Sequence, residues 1–191
     1  LQNILFFFFY LVSNPHLIPM LLQNVYLPVF VQFEWLRKYN ISTVIDIGAN
    51  RGDVTRALYY LFPKATIYAF EPLKIESTKI NKFVASAIKE GLPSKNIVVE
   101  NIALNDKNGT ATLYKYGYSP VSSMLPLLPS YAKKLQNSSK FKKTRVVTMT
   151  LDAYFKDINL HGIVFLKIDT QGTEKLILEG GKKILKNISI I

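Results

Sequence analysis

Thr43-Val44-Ile45-Asp46-Ile47-Gly48-Ala49-Asn50-Arg51-Gly52-Asp53 is the stretch on which the fold turns. Residues 43–47 are largely apolar and stop at Gly48, which suits a strand buried in a parallel sheet. From Asp53 to Phe62, Val54, Ala57, Leu58 and Leu61 recur at helical spacing, and Pro63 then stops the helix. Between strand and helix, two glycines four apart let the backbone turn tightly and let a ligand come close. The pattern is Gly-x-x-x-Gly, with Asn50 standing where a dinucleotide fingerprint has its middle glycine. The acid Asp46, inside the strand, suits a cationic ligand group better than a diphosphate held on helix N–H groups. An ordinary strand-to-helix turn is the other reading of the same residues, and Arg51-Gly52-Asp53 is part of that turn.

The alternation continues on both sides. Strands are expected at residues 65–70, 96–100 and 163–169, and helices at 75–90 and from about Glu174 to Leu185. On the helix at 75–90, Ile80, Val84, Ala87 and Ile88 are expected inward. Thr110–Tyr114 and Arg145–Met149 read as antiparallel edge strands, and Leu151–Phe155 as a short helix. Strands alternating with helices imply an α/β fold, a parallel sheet with helices on both faces. In such sheets ligands bind beyond the carboxyl ends of the strands, where strand order reverses. The strand-end candidates are therefore Asp46 to Asp53, Glu71, Asn101 and Asp169.

The chain has 191 residues and a formal charge of +11, with no cysteine and two histidines. These counts exclude a disulfide scaffold, a thiolate metal site and a Cys nucleophile, and they fit a reducing, cytoplasmic setting. The charge is local. No acid occurs between Asp106 and Asp152, where Lys107, Lys115, Lys133, Lys134, Lys140, Lys142, Lys143 and Arg145 lie, so the rest of the chain is near balance at +3. With Gly117, Pro120, Pro126 and Pro129, residues 107–151 read as a loop-rich basic insertion. Residues 1–33 carry no charge, and the apolar run Ile4–Val12 is too short to span a bilayer. Residues 1–40 are set apart as an apolar N-terminal helical segment, and for residues 1–33 a helix packed on the domain, a peripheral membrane anchor and a remnant of a longer chain all stay open. The ending Ile188-Ser189-Ile190-Ile191 reads as a strand entered and not finished, so the sheet is expected to be truncated at its C-terminal strands.

Glu71 lies 19 residues past Gly52, at the end of the next strand, where a carboxylate accepts both hydroxyls of a ribose. Asn101, ending the third strand, is placed to read an adenine edge, or is simply a turn residue.

Val44–Gly52, Ala69-Phe70-Glu71-Pro72, Ile102–Asp106 and Leu166-Lys167-Ile168-Asp169-Thr170-Gln171-Gly172-Thr173-Glu174 together resemble the successive motifs of the FkbM-type S-adenosylmethionine-dependent methyltransferases. The last of these is the most particular to the family, and the resemblance covers roughly residues 35–191. It implies a Rossmann-like class I methyltransferase sheet in residues 41–191. It also implies methyl transfer to a hydroxyl of a sugar, glycolipid, polysaccharide or natural product, with S-adenosylmethionine contacts at Asp46, Gly48, Asn50, Gly52 and Glu71. Ser122-Ser123 and Thr150-Leu151-Asp152 match further parts of the family pattern.

A hydroxyl is a poor nucleophile, so a carboxylate within hydrogen-bond reach assists by taking its proton. Asp169 is the choice for that base, with a helix-capping role as its alternative. Lys167, two residues earlier, projects to the same face and is expected to pair with it. No metal is called for, although Asp169 and Asp152 are carboxylates that a metal would use. The missing middle glycine and Asp46 speak against a nicotinamide dehydrogenase. An RNA or DNA methyltransferase using the basic insertion is the runner-up. It lacks an Asp/Asn-Pro-Pro-Tyr/Phe motif and a cysteine for pyrimidine attack. An inactive cofactor-binding fragment is the third reading. The insertion is expected to form a lid over the acceptor, facing an anionic glycan or lipid.

Overall fold

The computed structural model of the chain describes residues 12–13, 26–90, 96–116, 122–126 and 141–191. A short helix α1 (Leu27–Phe33) runs into a 3-10 turn at Glu34–Lys38. Strand β1 (Ile41–Ile47), helix α2 (Asp53–Leu61), strand β2 (Thr66–Phe70), helix α3 (Lys74–Lys89) and strand β3 (Ile97–Glu100) follow in strict alternation. Then come β4 (Ala103–Leu104), β5 (Gly109–Tyr116), β6 (Phe141–Met149), α4 (Leu151–Tyr154), β7 (Ile163–Ile168) and α5 (Glu174–Glu179).

The main sheet has the order β3-β2-β1-β7, and all its pairs are parallel. The chain steps outward from β1 through β2 to β3 and then returns to the other side of β1 as β7. Strand order therefore reverses between β1 and β7. Successive residues of β1 serve opposite faces, as a pleated strand requires. Val44 joins Phe30, Leu36, Ala57, Leu58, Ile67 and Phe83 on one side. Ile45 and Ile47 join Leu104, Leu151, Phe155, Leu166 and Ile177 on the other.

Three expectations are corrected here. The strands of the basic insertion do not edge the main sheet. β5 and β6 pair antiparallel and longer than expected, and with β4 they form a second, three-stranded sheet. The last helix stops at Glu179, because Gly180 and Gly181 are packed too closely for the helix to run on as an ordinary surface element. A Cβ on Gly180 would sit 2.2 Å from the Asn105 carbonyl oxygen, and one on Gly181 would sit 2.9 Å from Leu151. A 3-10 turn, Ile184–Asn187, follows instead. On α3, Phe83 rather than Ile88 completes the inward stripe; Ile88 lies one helical step off that face and is exposed.

Residues 27–38 pack on the domain through Leu27, Phe30 and Leu36. Of residues 1–25 only residues 12–13 are described, and the apolar run Ile4–Val12 lies mostly outside the described residues. Lys133, Lys134 and Lys140 of the insertion lie outside them too. At the other end, Ile190 runs parallel beside β7, its carbonyl accepting from the Leu166 N–H at 2.8 Å. Among the described residues no helix is long and apolar enough to cross a membrane.

Candidate active site at the strand crossover

The turn after β1 is held in a shape few sequences allow. Gly48, Asn50 and Gly52 all have positive φ, at 75°, 51° and 89°. Gly48 has a second constraint, since a Cβ there would meet the Asp169 carbonyl oxygen at 2.0 Å. Backbone and backbone cannot both stay in place. Gly48→Ala is therefore expected to lower the melting temperature and to weaken ligand binding in the cleft together, by at least about 2 kcal/mol in stability. Thermal melts of the two proteins check this, and equal melting temperatures would show that the two loops do not meet so closely.

Four N–H groups of this turn already have protein acceptors. Gly48 and Ala49 both donate to the Phe70 carbonyl at 3.0 Å, and Gly52 donates to the Ala49 carbonyl at 2.9 Å. Asn50 donates its backbone N–H to Glu71 Oε2 at 2.8 Å. A diphosphate would need such N–H groups unengaged, so the turn is not a dinucleotide cradle.

Glu71 ties the turn to the end of β2. Its Oε1 accepts from the Leu73 N–H at 2.8 Å, opposite the bond from Asn50. The residue is only 6% exposed. Burial pushes its carboxyl up to about 7, overriding the two backbone hydrogen bonds that lower it, and nearby Glu76 and Asp46 add to the rise. Each oxygen retains acceptor capacity for one more hydrogen bond.

Asp46 and Lys167 are directly opposite one another across β1 and β7. Asp46 is fully buried, with Oδ2 accepting from the Thr55 hydroxyl at 2.7 Å and Oδ1 3.0 Å from the Lys167 ammonium. The cation that Asp46 meets is thus this lysine. Lys167 also donates to the carbonyls of Gly48 at 3.1 Å and Ile47 at 3.4 Å. The expected Lys167–Asp169 pair is not formed: β7 ends at Ile168, and the register with β1 hands Lys167 to Asp46. Lys167 is a positioning residue that clamps the Gly48 turn.

Asp169 is held differently. Gln171, in a left-handed conformation at φ 59°, donates its side-chain amide to Asp169 Oδ1 at 2.7 Å. The Gln171 carbonyl in turn accepts from the Ser123 hydroxyl at 2.9 Å. From the far side Glu174 closes the loop, accepting from the N–H groups of Thr170 and Gly172 and from the Thr170 hydroxyl. Burial alone would raise the Glu174 carboxyl. The backbone N–H groups of Glu174, Gly172 and Thr170 and the Thr170 hydroxyl outweigh it and hold the carboxyl below its ordinary value.

Gly48, Asn50, Glu71, Leu113, Ser123 and Asp169 are among the residues that line one cleft, beyond the carboxyl ends of β1, β2 and β7. Counting the part open to solvent, it measures about 480 Å³. Ser122 and Ser123 reach it from the insertion, because Ser123 bridges to Tyr114 of β5. Four expected site residues do not line it. Asp46 and Lys167 lie behind it, Gly52 packs against Ile80, and Asn101 donates its side-chain amide to the carbonyls of Glu71 at 2.8 Å and Pro72 at 2.9 Å. Asn101 thus braces the Glu71 turn, and the adenine-reading role loses its donor group. Asp152 accepts from the N–H groups of Lys183 and Ile184, far from pairing with Asp169. Among the described residues no group of three His, Cys, Asp or Glu is placed to hold a metal.

Thr55, Gln171 and Glu174 are the positioning residues that sequence reading missed or undervalued. The first gives no signal beyond a polar residue on the inward face of α2.

The model of the methyltransferase FkbM domain matches residues 46–191. Over 155 residues the chain is 25% identical to 2-O-methyltransferase NoeI of Sinorhizobium fredii, covering 78% of this chain and 60% of that protein. It also resembles the crystal structure of methyltransferase FkbM from Methylobacillus flagellatus KT, with a TM-score of 0.50 at 14% identity. That likeness covers 78% of this chain and 31% of the other. The chain therefore spans less than two thirds of either relative. With the strand crossover, the cleft and the family match in agreement, the chain belongs to the FkbM methyltransferase family.

Proposed function

We propose that this cleft binds S-adenosylmethionine and that the protein is an O-methyltransferase for a hydroxyl-bearing glycan or small molecule. The observation that carries the reading is the placement of two carboxylates, Glu71 and Asp169, on one cleft at the crossover between β1 and β7. Glu71 suits the two hydroxyls of a ribose, and the engaged N–H groups of the Gly48 turn disfavour a diphosphate ligand. The hydroxyl-acceptor part of the reading draws on the 2-O-methyltransferase to which the chain is similar.

When bound, S-adenosylmethionine would supply a sulfonium methyl group to the acceptor oxygen, with S-adenosylhomocysteine as the thioether leaving group. Asp169 serves as the base: Gln171 fixes one carboxylate oxygen, and the other accepts the proton released by the acceptor hydroxyl. The Ser123–Gln171 bond holds this arrangement from the insertion side. Lys167 and Asp46 stay out of the chemistry and fix the turn on which the cofactor rests. Residues 41–191 are proposed as the catalytic domain, with residues 27–38 as its cover. Leu113 and Ser122–Met124 make the basic insertion a wall of the cleft, which is the acceptor side in this reading.

Asp169→Asn tests the base. Transfer of labelled methyl to a saccharide acceptor is expected to fall about a hundredfold, while S-adenosylmethionine affinity stays within twofold, on the order expected for losing a general base. Undiminished turnover would remove Asp169 from that role.

A further inference from the structure

A second feature lies at the opposite end of the sheet, where the strands begin. The 3-10 turn Glu34–Lys38 buries Leu36 completely and thereby turns Trp35, Arg37 and Lys38 outward. Trp35, the one tryptophan of the chain, is 52% exposed. The Lys38 ammonium sits 5.7 Å above the Trp35 ring and 5.0 Å above that of Tyr39, and the two rings meet edge to face. An open groove runs from Arg37–Ile41 to Leu61–Ala65, and Lys64 closes its far side. No carboxylate lines it among the described residues, and none of Arg37, Lys38 and Lys64 forms an ion pair among them.

Three cations without an ion pair among the described residues, beside an exposed tryptophan, ask for an anionic surface with an apolar interior. Trp and Tyr favour the headgroup level of a bilayer, and Lys and Arg favour anionic headgroups. The chain leading into this rim, residues 1–33, has no charged side chain, which fits a bilayer and would hinder a nucleic acid. We propose that the Trp35–Lys38–Lys64 rim docks on the surface of an anionic lipid bilayer. The cleft opens at the other ends of the strands, so the docked protein would present it to the aqueous side and take its acceptor from there.

Trp35 is its own reporter. The full chain is mixed with vesicles of phosphatidylcholine alone or with phosphatidylglycerol added, following fluorescence and co-sedimentation. The expected result is a blue shift and sedimentation with the anionic vesicles only, reversed by salt. Each cation near such a surface is worth about 1 kcal/mol, so Lys38→Glu with Lys64→Glu should weaken binding about thirtyfold or more. S-adenosylmethionine binding by this double variant should be unchanged, because the rim and the cleft are at opposite sheet ends; a loss there would mark a folding defect, and Lys38→Gln with Lys64→Gln then serves with a smaller expected drop. The proposal is overturned by absence of vesicle binding, by sedimentation without a Trp35 shift, by undiminished binding of a folded double variant, or by a shift with inorganic phosphate or RNA but not with vesicles.

Discussion

Lys167→Met is expected to destabilise the protein by about 3–5 kcal/mol, because it leaves Asp46 charged, buried and without its cation. Among the described residues Asp46 then keeps the Thr55 hydroxyl alone, and the Gly48 and Ile47 carbonyls lose their ammonium donor. The double variant Asp46→Asn with Lys167→Met should recover most of that loss, since a neutral amide still accepts from Thr55 and no buried charge remains. Urea midpoints measure both. A double variant no more stable than Lys167→Met would mean that the pair is not coupled as the geometry indicates. Cofactor affinity should separate from stability in this series. The double variant regains its fold but not the clamp on the Gly48 turn, so binding stays weak. A lysine with a purely structural role would give binding back along with stability.

Glu71→Ala carries the second large effect, a loss of about a thousandfold in S-adenosylmethionine affinity. Two hydroxyl bonds to a charged carboxylate contribute roughly 1.5–3 kcal/mol each. The same carboxylate also holds the Asn50 and Leu73 N–H groups, so the turn loosens when it is removed. Glu71 further makes the site sensitive to pH. With its carboxyl raised from 4.5 to about 7, the folded state holds the proton more tightly than the unfolded chain. Its contribution to stability is complete below about 4.5 and is lost as pH rises through about 7, a span worth at most about 3 kcal/mol. Ribose hydroxyls need the ionised form, so ligand binding runs the other way. Affinity for 5′-methylthioadenosine, which has the ribose but no amino-acid part, should fall as pH drops below about 7, by up to about tenfold per unit. Titrations between pH 5.5 and 8 measure this, and a flat profile would detach Glu71 from the ribose.

The part of the fold built from local contrast was legible in the sequence. β1, its glycine turn and α2 are a buried strand, a forced turn and an amphipathic helix, and each leaves its own period. Glu71 was legible because a carboxylate after an apolar strand has few reasons to be there. Asp169 likewise stood out at a strand end, and it does line the cleft. What could not be read was cross-chain pairing. Lys167 and Asp169 share a face by alternation. The parallel register with β1, invisible in the β7 segment, places Lys167 opposite Asp46 instead. Asn101 and Asp152 followed the same pattern: polar residues at element ends, engaged by backbone groups 29 to 32 residues away. The early stop of α5 had a visible mark in Gly180-Gly181, but the reason for it is Asn105 and Leu151, which no local pattern brings near.

Titration calorimetry of S-adenosylmethionine into the full chain and into Glu71→Ala and Asp169→Asn tests the central claim most directly. The proposed site predicts one binding event in the parent protein, retained by Asp169→Asn and lost by about a thousandfold in Glu71→Ala. No heat of binding to the folded parent protein, or equal affinity in the Glu71 variant, would contradict it.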